Sequence, residues 1–232
     1  MTELSGMTTI ALLWNMIPSI LMIVAPILIA AIGGMICERA GIINIALEGL
    51  MAFGAFAAAL SHQLLEIQLD GISIPFALFM AALTGCFFSL IHAIASITMK
   101  ANQVISGTGI NLLAPGLTVF LCQVIYNQER TQPFKLGMMP FNPENSLFSW
   151  MAGIYPTAVI ALVLLVLSWF ALYKRPWGLR LRSCGEDPQA AAAAGINVVR
   201  MRYTAVLVSG ILAGLAGGCL VLTQTIQYTA NT

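Results

Sequence analysis

Long stretches without charge constrain this chain more than any other feature. Five windows contain no charged residue, and a sixth, Ala40–Leu65, contains only Glu48. Each is long enough for a helix that crosses a bilayer, which needs about 20 predominantly apolar residues. Because the hydrocarbon layer offers no water to satisfy backbone polar groups, such stretches are helical unless they close into a barrel. The five uncharged windows are Met7–Cys37, Gly71–Met99, Ala101–Gln128, Asn145–Tyr173 and Tyr203–Thr232.

The composition supports helices in a membrane. Only 8% of the 232 residues are charged and 59% are hydrophobic, whereas an ordinary soluble domain has about 25% charged residues. A membrane barrel needs segments of about 10 residues with alternating polarity, and this pattern is absent. We therefore predict an all-α integral membrane protein with about six transmembrane helices, one or more of them broken, in a single domain, 1–232. The predicted spans are about 10–33, 41–60, 73–98, 103–126, 151–173 and 203–223.

Basic residues are concentrated in one segment, which predicts the orientation. Six of the ten lysines and arginines lie within 174–202, and the positive-inside rule places that loop in the cytoplasm. Counting outward through the spans then places Lys100 and the 37–40 link inside. The stretches 61–70 and 127–144 are predicted to lie outside, as is the N-terminus.

Several predicted spans are interrupted by glycine, proline and polar residues. Broken helices with polar groups inside the membrane are typical of the binding regions of transporters. The alternative is helix packing, because small residues let helices approach closely in lipid, and we favour packing for the glycines and alanines. The residues that interrupt these spans include Pro18, Pro26, Gly33, Gly34, Gly41, Gly49, Gly54 and Pro115.

Glu48 is the acid placed well inside a span, where an ionised group costs a few kcal/mol or more. It is predicted to line a translocation path, to pair with a neighbouring helix, or, if its helix starts near Gly41, to lie near the inner interface. Asn44 precedes it by one helical turn, so the two are predicted to share a helix face. Together they are candidates for a polar stripe.

A second polar group lies in the predicted span that begins near position 103. The sequence Ser106-Gly107-Thr108-Gly109 is predicted to loosen the helix and free carbonyl groups for a neutral solute rich in hydroxyl groups or carrying a base. Hydrogen bonding between helices, worth about 0.6 kcal/mol per contact, is the alternative. The candidates for the translocation path here are Asn102, Gln103, Ser106, Thr108 and Asn111.

The segment "GEDPQAAAAAGINVVRMR" carries the signals of a short capped helix in the basic loop 174–202. Asp187 is a favoured N-cap and Pro188 a favoured first residue, and Gly195 is a typical stop. A helix over 188–194 is only marginally stable by itself, so it needs a surface to dock on. An ordinary inside loop needs charge but no capping residues, which favours a coupling element for a cytoplasmic partner.

Motifs for chemistry are absent from the sequence. There is no phosphate-binding GxxxxGK[ST] motif, no GxSxG and no HExxH, and the five cysteines are scattered without metal-ligand or disulfide spacing. The net charge of +1 argues against nucleic-acid binding. No catalytic residue, metal site or cofactor is predicted.

Three motifs, which occur in the same order along the chain as in the family, carry a family resemblance. "GEDPQAAAAAGINV" resembles a cytoplasmic motif of the permease subunits of bacterial ABC importers, in the family for branched-chain amino acids, ribose and other simple sugars, and nucleosides. "GGMICERAGIINIALEGLM" and "NQVISGTGINLLAPGLT" are similar to its nucleoside and simple-sugar branch. The resemblance implies that the first motif couples to an ATPase, through Gly185, Glu186, Asp187, Pro188, Ala190, Ala191, Ala194 and Gly195.

The resemblance implies alternating access for a nucleoside or simple sugar across the bacterial cytoplasmic membrane. The implied partners are a separate ATPase subunit, a second permease subunit, membrane lipid, and an extracytoplasmic solute-binding protein or lipoprotein. This chain is then not itself an enzyme. Family members usually continue for several tens of residues beyond "AGLAGGCLVL", so the chain is expected to be C-terminally truncated. The alternatives are a secondary transporter or channel without an ATPase and a membrane subunit that does not transport.

Overall fold

The computed structural model describes residues 9–66, 72–134, 137–141, 153–225 and 227–229, and this part of the chain is built from helices. The predicted all-α fold class is confirmed. Parts of the predicted outside stretches 61–70 and 127–144, and the start of the predicted span 151–173, lie outside the described residues. The helices are α1 (Thr9–Arg39), α2 (Leu47–Glu66), α3 (Ser73–Ala93), α4 (Gln103–Tyr126), α5 (Pro156–Tyr173), α6 (Pro176–Glu186), α7 (Pro188–Ala193) and α8 (Val198–Leu220).

Among the described residues, five helices are long and apolar enough to cross a membrane, and they belong to α1, α3, α4, α5 and α8. A helix also covers most of the sixth predicted window. This helix, α2, is not among the five, and it carries Glu48 in its first turn and Ser61, His62 and Gln63 near its end. Protein surrounds much of α2, with α3 and α8 packed along it. A helix shielded from lipid in this way can carry more polar residues than one that faces lipid.

The helix at the centre of the molecule is α8. Of its apolar window 72% is buried, against 44% or less for the other four spanning helices. Glycines allow this packing: a Cβ atom on Gly217 would overlap the carbonyl oxygen of Met51 in α2, and one on Gly85 in α3 would overlap that of Gly210. Among the glycines for which packing was favoured, Gly54 shows the same close approach, because an added Cβ there would overlap the carbonyl oxygen of Gly214 in α8. Helix backbones in lipid approach closely only where side chains are small.

Contacts between helix ends show which segments share a side of the bundle. At one end, Arg202 Nε donates to the carbonyl of Ala40 at 3.3 Å. At the other end, Gln224 Nε2 donates to the carbonyl of Met22 at 3.0 Å, and the Tyr126 hydroxyl donates to Gln63 Oε1 at 2.6 Å. These contacts place the ends of α1, α2, α4 and α8 on the sides of the bundle that counting from the basic loop predicts. Which end faces the cytoplasm stays a prediction from the positive-inside rule.

The prediction that a span begins near position 41 is wrong. Gly41, with φ of +78°, ends α1 instead. Its N–H donates to the carbonyl of Glu38 at 2.9 Å and the N–H of Ile42 donates to that of Cys37 at 3.3 Å, the two bonds of a Schellman helix end. The chain then runs without helical structure through 42–46 before α2 begins at Leu47.

Prolines within the described helices do not break them. Pro18 and Pro26 lie inside a continuous α1, and Pro115 lies inside a continuous α4. The departures from regular α-helix are the unwound connection 42–46 and π-helical turns at Ile94–Thr98 and Val221–Thr225. One or more broken spans were expected. The clearest break is the connection 42–46, which replaces the first part of the predicted span 41–60.

Helix α6 is absent from the sequence-based interpretation. It begins at Pro176, in the favoured first position, and buries Leu181 and Cys184. The guanidinium of Arg182 lies 4.9 Å from the ring centre of Tyr173, so a cation covers an aromatic ring at the end of α5. The pattern Leu179, Leu181 and Cys184 gives too weak a helical period to predict this short helix from sequence.

Candidate translocation site and coupling surface

A cavity of about 490 Å³ lies between α2, α4 and the end of α8. This volume is in the range of small-molecule sites, which is about 300–1,000 Å³. Its wall combines a few polar groups with a larger apolar surface, as expected for a site that orients a small organic solute. The lining residues are Glu48, Gly49, Met51, Ala52, Ala55, Asn111, Leu112, Pro115, Gly217, Leu220, Tyr228 and Thr229.

Asn111 holds the first turn of α2 against α4. Its Oδ1 accepts from the N–H of Gly49 at 2.8 Å and its Nδ2 donates to the carbonyl of Ile45 at 2.9 Å. The first N–H groups of a helix lack partners within the helix, and here a neighbouring helix supplies one. Asn111 thus bonds between helices, which was one of the two roles considered for it from sequence, and it also lines the cavity.

Asn44 also lies beside the start of α2, but not on the helix. It is buried, its Nδ2 donates to Ser209 Oγ in α8 at 2.9 Å, and its Oδ1 accepts from the N–H of Ala46 at 3.1 Å. The predicted shared helix face of Asn44 and Glu48 is therefore wrong, because Asn44 precedes the first turn. Its side chain anchors the unwound connection instead of lining the cavity.

Glu48 occupies the first turn of α2 and lines the cavity with an exposed side chain. The positive end of the helix dipole favours a carboxylate at this position. Of the interpretations left open, the structure shows cavity lining, close to where α2 begins. An anionic group that accepts hydrogen bonds is thereby presented at one end of a largely apolar chamber.

The remaining polar residues of the α4 start have structural partners outside the cavity. Asn102 caps α4, accepting from the N–H of Val104 at 2.9 Å, and Gln103 Oε1 accepts from the N–H of Ile43 at 2.8 Å. Ser106 Oγ lies 3.0 Å from His92 Nδ1. The Thr108 hydroxyl donates to the carbonyl of Val104 at 2.9 Å.

The predicted loosening of α4 at positions 106–109 is wrong. The helix is continuous there, because Gly107 packs against Ile45 and the Thr108 hydroxyl bonds back into its own helix. Pro115, one turn after Asn111, has no N–H to donate to the Asn111 carbonyl. The helix therefore lacks its usual i+4 backbone hydrogen bond at Asn111, a residue that lines the cavity, and not at positions 106–109.

Tyr228 is a cavity residue that the sequence interpretation missed. Its hydroxyl donates to Thr118 Oγ1 at 2.7 Å, and its ring makes an edge contact with Phe56 at 5.6 Å. Burial raises the pKa of the Tyr228 phenol, which keeps the hydroxyl protonated as a donor. Its backbone pairs with Thr131, whose N–H donates to the Tyr228 carbonyl at 3.1 Å. The sequence signal that could have identified Tyr228 is an aromatic residue within the mostly polar segment 223–232.

The short helix α7 has the predicted caps. Asp187 Oδ1 accepts from the N–H groups of Gln189 and Ala190 at 2.9 and 3.0 Å, and Gly195 follows the helix with φ of +81°. The N–H groups of Gly195 and Ile196 donate to the carbonyls of Ala192 and Ala191, both at 3.0 Å, which forms a Schellman end. The helix ends at Ala193, one residue earlier than predicted.

The alanine run does not present all five methyl groups to solvent. Ala191 is buried at 3% exposure, because it faces the rest of the fold, while the other four alanines of the run, Ala190 and 192–194, are exposed. Gly185 is equally constrained, since a Cβ there would overlap the carbonyl oxygen of Arg39. Of the residues assigned to coupling, Ala191 and Gly185 therefore hold α7 in place, whereas Glu186, Ala190 and Ala194 lie on the accessible side.

A groove of about 610 Å³ accompanies the exposed side of α7. It lies between α6, the end of α7 and the start of α8, and it contains the cations Arg180 and Arg200. Asn197 caps α8 at its edge by accepting from the N–H of Arg200 at 3.0 Å. The basic loop thus forms a positively charged groove beside the exposed alanines of α7.

Sequence comparison identifies the family. The family described as branched-chain amino acid transport system / permease component matches residues 16–232. The chain belongs to this family. The permease is thus a multi-pass membrane protein, and the predicted identity as a permease subunit of an ABC importer is confirmed.

Similar curated proteins include the guanosine ABC transporter permease protein NupQ of Bacillus subtilis, 39% identical over 97% of the permease and 73% of that protein. The nucleoside ABC transporter permease protein NupC of Lactococcus lactis is 35% identical over 91% of the permease and 68% of its own length. A putative glucose ABC transporter permease protein, TsgC13 of Haloferax volcanii, is 33% identical over 84% and 59%. No solved structure matches the permease.

Proposed function

We propose that this permease carries a nucleoside through the bacterial cytoplasmic membrane as part of an ATP-driven importer, and that the cavity beside α2 is part of its path. The observation that carries the proposal is the mixed wall of that cavity, with Glu48 and Asn111 close to Met51, Leu112 and Leu220. The names of the relatives NupQ and NupC support the solute class.

A nucleoside matches both parts of the wall. Its ribose hydroxyls are donors for the Glu48 carboxylate, and the flat base fits against the apolar side chains of α4 and α8. Hydrogen bonds to a charged acceptor are worth about 1.5–3 kcal/mol, enough to orient the sugar. A simple sugar satisfies the polar groups but leaves the apolar wall without a partner, so we favour the nucleoside.

Energy enters through α7 and the groove beside it. A separate ATPase subunit docks on the exposed alanines, and acidic side chains on that subunit pair with Arg180 and Arg200. A second permease subunit completes the path, and an extracytoplasmic binding protein or lipoprotein delivers the solute. A partner drives the cycle only if it binds the two pore states with different affinity.

Uptake by the reconstituted complex tests the proposal. We expect vesicles that contain the permease, its partner subunits and internal ATP to accumulate labelled guanosine, with competition by unlabelled nucleosides and none by glucose. Uptake that does not require ATP would instead indicate a secondary transporter or channel. Competition by glucose would assign a sugar, and an active ATPase without uptake of either would indicate a subunit that does not transport.

A bulky charge on α7 provides a separate test of the coupling surface. We expect Ala192→Arg to reduce co-purification of the ATPase subunit by about tenfold or more, because the bulky side chain holds the docked surfaces apart and each 1.4 kcal/mol of lost binding free energy is a factor of about ten. Ala192 is exposed, so the substitution leaves the fold of the permease intact, and Ala192→Ser serves as the small control. Normal co-purification of the Ala192→Arg variant would contradict docking at this helix.

A further inference from the structure

The unwound connection 42–46 joins the coupling surface to the cavity over a short distance. At its start, Gly41 packs against Gly185, with an added Cβ on Gly41 coming within 3.2 Å of Gly185 Cα. The Arg202 side chain, at the start of α8, binds the neighbouring carbonyl of Ala40 at 3.3 Å. A displacement of the α6–α7 junction or of the start of α8 therefore acts directly on the beginning of this connection.

Side chains of α4 hold the backbone of the connection, and a side chain of the connection binds α8. Gln103 in α4 accepts from the Ile43 N–H at 2.8 Å, and Asn111 in the same helix donates to the Ile45 carbonyl at 2.9 Å. Asn44 reaches the other way, to Ser209 in α8 at 2.9 Å. These bonds take the place of helical hydrogen bonds within the connection. A movement of α4 relative to α8 therefore changes the conformation of the connection.

The far end of the connection is the cavity wall. Glu48 is the second residue after Ala46, and the N–H of Gly49 is held by Asn111 at 2.8 Å. The same Asn111 side chain binds the connection and lines the cavity. A movement of 42–46 thus reaches the cavity without passing through a long helix.

We propose that 42–46 transmits the state of the coupling surface to the cavity. The positioning residues are Arg202, which binds Ala40 just before the connection, and Gln103, which binds Ile43 within it. The inference rests on the proposed function for the identity of the partner that moves the coupling surface. Such coupling requires an element with two arrangements that both sites bias. The connection is held by a few hydrogen bonds to side chains and not by a helical backbone pattern. It can therefore change between two arrangements by exchanging only those bonds.

The test follows the accessibility of the cavity and needs no solute. Leu112 lines the cavity and is exposed, so Leu112→Cys reports on it, in a background where the partly exposed Cys86 is replaced by serine. In the complete complex we expect ATP binding to change the alkylation rate of this cysteine by about fivefold or more, the lower end of ordinary allosteric coupling. Gln103→Leu is expected to remove most of that change, and Gln103→Glu, which keeps an acceptor oxygen, to retain it.

Matched variants separate transmission from folding. Gln123→Leu makes the same substitution at the exposed far end of α4 and is expected to keep the ATP-dependent change. Arg202→Met removes the other anchor and is expected to act like Gln103→Leu. The inference is overturned if ATP still changes labelling in both anchor variants, or if ATP changes nothing in the Leu112→Cys parent. ATP-dependent labelling without guanosine uptake would contradict the proposed solute while leaving the inference standing.

Discussion

Gly217→Ala is expected to lower the free energy of unfolding by about 3 kcal/mol, the upper end of the usual cost of overpacking. The added Cβ would overlap the carbonyl oxygen of Met51 and lie 3.0 Å from the N atom of Ala55, so it meets backbone atoms of α2 on both counts. A backbone cannot rotate away as a side chain can. The two helices must separate, and the packing of α8 at the centre of the bundle is lost.

The matched control is the same change where the glycine has room. Gly109 lies in α4, and a Cβ added there meets nothing within 4 Å, so Gly109→Ala is expected to gain about 0.5–1 kcal/mol of helix stability. Unfolding of both variants by sodium dodecyl sulfate from mild detergent, followed by tryptophan fluorescence, measures the difference. Equal midpoints for the two variants would show that the close contact of α8 with α2 does not exist in the membrane.

Glu48→Gln is expected to reduce the kcat/KM for nucleoside uptake by about tenfold to a hundredfold. The reason is the loss of charge-assisted hydrogen bonds, which are worth about 1.5–3 kcal/mol, and each 1.4 kcal/mol is a factor of ten. Uptake rates in reconstituted vesicles, corrected for the amount of assembled complex, give this ratio. The effect is expected mainly in KM, since the role proposed for the carboxylate is to bind the solute in its resting position.

A second carboxylate on the same helix controls for charge and stability. Glu66 is the last residue of α2 and lies outside the cavity, so Glu66→Gln is expected to retain most of the uptake. Glu48→Asp keeps the charge but shortens the side chain and is expected to fall between the two. If Glu48→Gln transported with unchanged KM, the carboxylate would have only a structural role at the start of α2.

Local signals predicted the ends of some elements and not of others. Asp187, Pro188 and Gly195 define α7 almost to the residue, because capping depends on neighbouring backbone groups alone. Gly41 carries the same stop signal, and its Schellman end matches that of Gly195. The mostly apolar residues that follow Gly41 hid this signal, since hydrophobicity continues through the connection and says nothing about helix ends.

The candidate path shows the limit of the same reasoning. Seven polar residues were candidates, and the structure brings two of them, Glu48 and Asn111, to the cavity wall. Asn44 and Gln103 hold the connection beside it. Tyr228 joins the wall from a segment more than a hundred residues away from Asn111 in the chain. Polarity within a span indicates that a partner is needed, but not whether that partner is a backbone, a side chain or a solute.

The sequence by itself determined that the chain is a helical membrane protein, which loop is basic, and where a short capped helix lies in that loop. These properties follow from hydropathy and from hydrogen bonds between near neighbours, and both are local. Only the tertiary structure decided that α8 lies at the centre, that α2 starts at Leu47, and that Asn111 joins the connection 42–46 to the cavity. Those facts depend on which helices approach closely enough to exchange hydrogen bonds, and that approach is set by the small residues distant in sequence that meet in the core.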